Sequence, residues 1–177
     1  MIAKSLGIPE AQLQKLPSKE RYIFLAPAPG PIQQDSIADK MGKVPQSFSF
    51  HLSQVGAKKV PGGSVKVTDS TTFPVSTAIS SSLVEIEPGG MRELHWHPNA
   101  SEWQYYIEGQ GRMTVFASGG KARTFDYKAR DVGYVPMSMG HYIENTAKRR
   151  SAIWNCSKAT IIPMYRCGNG WPSPRPN

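Results

Sequence analysis

Four side chains account for the chemistry this sequence could do. Residues 94–106 read "LHWHPNASEWQYY", with His95 and His97 one residue apart and Glu102 five positions further on, and His141 follows the turn-forming "PMSMG". Side chains alternate across a strand with period two, so His95 and His97 would share a face. "HPNAS" turns the chain, and a hairpin would return the Glu102 carboxylate toward the imidazoles. A distant strand would bring His141 as a third imidazole. Three neutral imidazoles and one carboxylate leave a divalent cation with residual positive charge and open positions for exchangeable ligands. Mixed nitrogen and oxygen sets of this kind suit manganese, iron or another first-row metal. Any one of these histidines alone would read as an ordinary core or surface residue; the set reads as a metal centre.

The elements that must position them are strands. A chain of 177 residues supports one domain with a real core. With 39% hydrophobic residues, 16 Gly and 15 Pro, it suits an all-β protein with many turns better than a helix bundle. "SFSFHL", "SVKVTD", "AISSSLVEIE", "WQYYIEG", "GRMTVFA", "ARTFDY" and "VGYVP" are short β-branched or aromatic runs, separated by Gly, Pro, Asp or Ser as in a sandwich or barrel. They place the β-domain from about Ser47 to at least Thr146. Ahead of it, "PEAQLQKL" at 9–16 predicts a short helix with Pro9 at its first turn, followed by a Pro-rich linker or arm to residue 46.

Charge and composition narrow the function. The net charge is +8, but residues 147–177 hold six basic residues (Lys148, Arg149, Arg150, Lys158, Arg166, Arg175) and no acidic one, which leaves +2 for the rest. A basic tail without base-reading elements is a solvated extension, so no nucleic-acid partner is expected. No run of about 18 apolar residues occurs, so no membrane span is expected. "MIAKSLGIPEAQ" lacks the apolar core of a secretory signal, and the expected location is cytoplasmic. Cys156 and Cys167 could pair only in an oxidising compartment.

The spacings resemble a known family. Gly89, His95, His97, Glu102 and Gly109 match the first cupin signature, and Asp131, Pro136, Gly140, His141 and Asn145 match the second. "PGGMRELHWHPNASEWQYYIEGQGRMTVFASGGKARTFDY" and "DVGYVPMSMGHYIENT" are similar to the second cupin of the two-cupin oxalate decarboxylases. The resemblance implies a double-stranded β-helix, or jelly-roll barrel, over residues 47–146. It also implies manganese on His95, His97, Glu102 and His141, oxalate and dioxygen as reactants, and homo-oligomers formed by cupin packing. Arg92 matches the arginine that pairs with the substrate carboxylate, a bidentate geometry that lysine does not copy. By strand parity Arg92 faces away from His95 and His97, so it reaches the site only if the chain bulges after Gly89-Gly90. Where the family has Ala-Gly-Asp, this chain has Ala129-Arg130-Asp131, and a positive φ there would strain Arg130 by about 1 kcal/mol or more.

The resemblance stops at Thr146. The proton-donating glutamate and lid of this half of the family lie on the stretch that follows, yet no acidic residue occurs after Glu144. Trp154 to Lys158 can be encoded so that a one-base shift reads Leu-Glu-Leu-Phe-Lys, and the same shift through the tail permits a string like the family's strand, lid and C-terminus. The expectation is a one-base frameshift near codon 147, giving an aberrant tail over 147–177. "SAIWNC" would still take a strand slot with Ile153 or Trp154 inward, and the chain beyond Cys167 would be loosely ordered. The N-terminal segment resembles the link between two cupins, so the chain reads as an isolated second half. Three functions follow: impaired oxalate decarboxylation, a metal-holding cupin that turns over nothing, or an oxalate oxidase-like activity.

Overall fold

The computed structural model describes residues 2–19, 27–36, 42–159 and 165–166, with single positions 23, 25 and 161. Residues 1–44 and 45–177 group as two units. Among its described residues the first contains three short helices: α1 (Ile2–Leu6), α2 (Glu10–Leu13) and α3 (Ile32–Asp35). Pro9 is the N-cap of α2, which buries no residue and ends well before the expected Leu16. Without an apolar face to bury, a helix this short has little to extend it. The arm expected to be wholly irregular contains one helical turn, α3, set off by Pro31.

The second unit is all-β. Its strands are β1 (Lys58–Val60), β2 (Gly63–Thr68), β3 (Ser80–Ile86), β4 (Met91–Trp96), β5 (Glu102–Glu108), β6 (Gln110–Ala117), β7 (Lys121–Lys128), β8 (Val132–Val135), β9 (Gly140–Asn145), β10 (Ser151–Ser157) and β11 (Tyr165–Arg166). They form a six-stranded sheet ordered β1-β2-β3-β10-β5-β8 and a five-stranded sheet ordered β11-β4-β9-β6-β7, with antiparallel pairing throughout. This is the jelly-roll arrangement. Alternation is plain in β3, where Ser80, Ser82, Val84 and Ile86 are buried and the residues between them are half-buried. Val84, Ile86, Tyr106, Met113, Val115, Val135, Ile143 and Ile153 form the core, and the Tyr106 ring stacks on Tyr127 at 4.7 Å.

Two turns show why particular residues stand where they do. Gly109 joins β5 to β6 at φ 78°, and a Cβ there would lie 2.7 Å from Ser151 Cα, so only glycine fits. Arg130 adopts φ 79°, the left-handed geometry anticipated from the Gly-to-Arg departure. Its N–H donates to Tyr106 O at 2.7 Å, tying the turn to β5.

The two ends of the barrel compare differently with the sequence reading, the first departing from it. "SFSFHL" forms no strand: Ser47 and Ser49 hydrogen bond to each other at 3.1 Å, a local alternative to a ladder, and a 3₁₀ turn covers Leu52–Gln54. At the other end the sheets run past Thr146, and "SAIWNC" takes the strand slot expected of it. β10 pairs with β3 on one side and β5 on the other, at the middle of the six-stranded sheet. Ile153 is fully buried there and Trp154 lies on the outer face, half-exposed. Cys156 is a free thiol; Cys167 and the stretch 168–177, expected to be loosely ordered, lie outside the described residues. Among the described residues no helix is long and apolar enough to cross a membrane.

Candidate metal centre

The four sequence-selected ligands converge. His95, His97, Glu102 and His141 are all buried, and one donor atom from each lies within 4.8 Å of the others. β4 brings His95, His97 follows directly after it, β5 opens with Glu102 and β9 brings His141. His95 and His141 are cross-strand partners in the β4–β9 ladder, with ring centroids 4.2 Å apart. The turn before β9 is fastened to the first motif, since the Ser138 N–H donates to His97 O at 2.9 Å.

Hydrogen bonding selects which imidazole nitrogen faces inward. His95 Nδ1–H donates to Glu93 O at 2.8 Å and His141 Nδ1–H to Met139 O at 3.2 Å. A carbonyl accepts only from a protonated nitrogen, so in the neutral rings the lone pair sits on Nε2. His141 Nε2 is buried without a hydrogen bond of ordinary geometry and lies 3.6 Å from Glu102 Oε1. His97 Nε2 lies 2.8 Å from Glu102 Oε2. A buried, outward-anchored imidazole with no partner for its lone pair fits a metal ligand.

Electrostatics keep His95 and Glu102 in ligand form. Burial, with the Arg92 charge and His141 adding to it, pushes the His95 imidazole down to about 2, so it is neutral at any ordinary pH. Burial on its own would raise the Glu102 carboxyl, but contacts with His141 and His97 outweigh it and hold the group well below its usual range, as a carboxylate.

Arg92 stands on the same strand as His95, with a bulge between them. Arg92 pairs with Ile143 and His95 with His141, three steps on β4 against two on β9. The extra residue reverses the parity and puts Arg92 and His95 on one side of β4. The bulge lies between Arg92 and His95 rather than directly after Gly89-Gly90. The Arg92 side chain is only 16% exposed, with Nη1 4.0 Å from Glu93 Oε1.

Sequence reasoning missed two buried neighbours. Gln104 is fully buried, and its Nε2 donates to Glu102 Oε1 at 2.6 Å. The Tyr106 hydroxyl donates to Gln104 Oε1 at 3.3 Å, and burial pushes that phenol well up, so it stays protonated. The signal was available: Glu102, Gln104 and Tyr106 share the inward face of one strand by parity alone. Asn145, a motif residue, is no ligand. It clamps the end of β9, donating to Ile86 O and Arg149 O and accepting from Ala147 N–H, each at 2.8 Å.

A two-sheet β-barrel with a buried three-histidine, one-carboxylate cluster at its ladder defines a metal-holding jelly roll. Residues 54–160 match the family described as Cupin, and the chain belongs to that family. It is 52% identical over 145 residues to the oxalate decarboxylase OxdC of Bacillus subtilis, covering 82% of this chain and 38% of that protein. It is 40% identical over 158 residues to a probable oxalate decarboxylase of Arthroderma benhamiae, covering 87% of this chain and 38% of the relative. Among solved structures, the Bacillus subtilis oxalate decarboxylase studied for its Mn(II) centres superposes with a TM-score of 0.83 at 46% identity, covering 94% of this chain and 44% of that one. The chain thus spans less than half the length of each of these three proteins.

Proposed function

We propose that this chain is a manganese-binding cupin of the oxalate decarboxylase type, acting on oxalate with dioxygen as co-reactant and with weakened decarboxylation. The observation that carries it is the convergence of four buried donor atoms within 4.8 Å. The resemblance to proteins named for oxalate decarboxylation, one of them studied for its Mn(II) centres, supports the choice of substrate and metal. Manganese, when bound, would supply a Lewis-acidic and redox-active centre for one end of the dicarboxylate.

The chain's own residues do the rest. His95, His97, Glu102 and His141 present lone pairs to one point. Arg92, a fixed charge on the same side of β4, would pair with the second carboxylate and orient it. Loss of the proton-donating glutamate costs a factor of about 10²–10⁴, the usual size of a general-acid contribution. That factor is the reason to expect weak turnover. A half-exposed row on the outer face of the six-stranded sheet, Trp103, Tyr105, Tyr134 and Trp154, supports assembly with further cupins.

Incubating the manganese-loaded chain with oxalate and measuring carbon dioxide, formate and hydrogen peroxide tests the reading. Slow formate release is expected. Hydrogen peroxide in place of formate would indicate oxidase-like chemistry, and no product with metal bound would leave a non-catalytic metal-holding cupin.

A further inference from the structure

The inner face of β5 carries a chain of polar groups that ends on one oxygen of the metal-site carboxylate. Glu102 Oε1 accepts from Gln104 Nε2 at 2.6 Å, and Gln104 Oε1 accepts from the Tyr106 hydroxyl at 3.3 Å. Gln104 and Tyr106 are each 0% exposed. The two bonds together fix the amide's orientation, because a phenol that donates to Oε1 leaves only the NH₂ to face the carboxylate. The site packs against Gly133 on β8, where a Cβ would come within 3.3 Å of Gln104 Oε1 and 3.4 Å of the Tyr127 ring. The ring of Tyr106 is in turn held by its stack on Tyr127.

We infer that Gln104 is a positioning residue that makes Glu102 a one-oxygen ligand: it ties down Oε1 and leaves Oε2 for the metal. The inference rests on the metal site proposed above. A carboxylate free to rotate can bind through both oxygens and occupy a coordination position that a substrate carboxylate needs. With Oε1 engaged by a charge-assisted hydrogen bond, that second mode is disfavoured without adding any charge to the site. A glutamine suits the post, since it donates to the carboxylate while its own oxygen is satisfied by Tyr106. An unsatisfied amide there would be costly to bury. Tyr106 acts at one remove, holding the amide's orientation.

The test compares wild type, Gln104→Met and Tyr106→Phe by manganese titration and by the Mn(II) EPR spectrum of the loaded chain, with melting of the metal-free forms as a folding control. Gln104→Met keeps length and volume and removes the donor; Tyr106→Phe keeps the stack and removes the anchor. Gln104→Met should bind manganese about 10- to 100-fold more weakly and change the EPR fine structure, and Tyr106→Phe should show a smaller change in the same direction. A folded Gln104→Met with wild-type affinity and spectrum overturns the inference while leaving the metal site standing. Should Gln104→Met not fold, Tyr106→Phe decides, and an unchanged spectrum there overturns the inference. Wild type that binds no manganese removes the site and the inference together.

Discussion

β9 and β10 follow each other in the chain and sit in opposite sheets, and they serve the barrel in different ways. Along β9 the inward side chains His141, Ile143 and Asn145 are a ligand candidate, a core residue and a main-chain clamp. None can change type without loss of its task. β10 fills the middle of the other sheet with Ser151, Ile153, Asn155 and Ser157 facing in, a mostly polar set preceded by Lys148, Arg149 and Arg150. Backbone pairing asks for extended residues and one well-placed apolar side chain, whereas a metal centre asks for particular atoms. A strand slot is therefore filled by a wider range of sequences than a site is.

The largest effect that sharpens this comparison is in β10. Ile153→Ala should cost about 2–5 kcal/mol by leaving a cavity in the core, and Trp154→Ala, on the outer face, about 1 kcal/mol or less. Urea unfolding of the two variants checks it. Equal losses would mean that β10 is not held as described, and the contrast with β9 would fail.

Next comes Arg92, which tests whether the bulge in β4 serves the site. Arg92→Lys keeps the charge and loses the bidentate fork, and should weaken oxalate binding by about 10- to 100-fold with manganese content unchanged. Oxalate titration followed by the Mn(II) EPR signal measures it. An unchanged titration would return Arg92 to an ordinary role.

The smallest effect is at the turn between β7 and β8. Arg130→Gly relieves the positive φ and keeps the N–H bond to Tyr106. After glycine's extra unfolded-state entropy is deducted, it should stabilise by about 0.5–1 kcal/mol, read as a shift in urea midpoint with metal binding unaltered.

The parts of this molecule that were legible in the sequence are those governed by period and spacing. His95, His97, Glu102 and His141 were found because ligand sets repeat at fixed intervals, and β3, β5 and β6 because short β-branched or aromatic runs bounded by turn residues report strands. The side of β4 that Arg92 occupies was not, since a bulge depends on the register with β9 and not on local residue type. "SFSFHL" misled because serine side chains there bond locally, which a β-propensity reading does not weigh. Gln104 was overlooked for a different reason: a glutamine announces no chemistry until its partner oxygen is known. β1, three exposed residues long, has no apolar pattern to find.

The most direct test of the central claim is the metal content of the purified chain beside that of a His95→Ala/His141→Ala double variant, both grown with added manganese. About one manganese per wild-type chain is expected, the stoichiometry of a single ligand set, and next to none in a double variant that still folds. Equal manganese in the two, or none in the folded wild type, would contradict it.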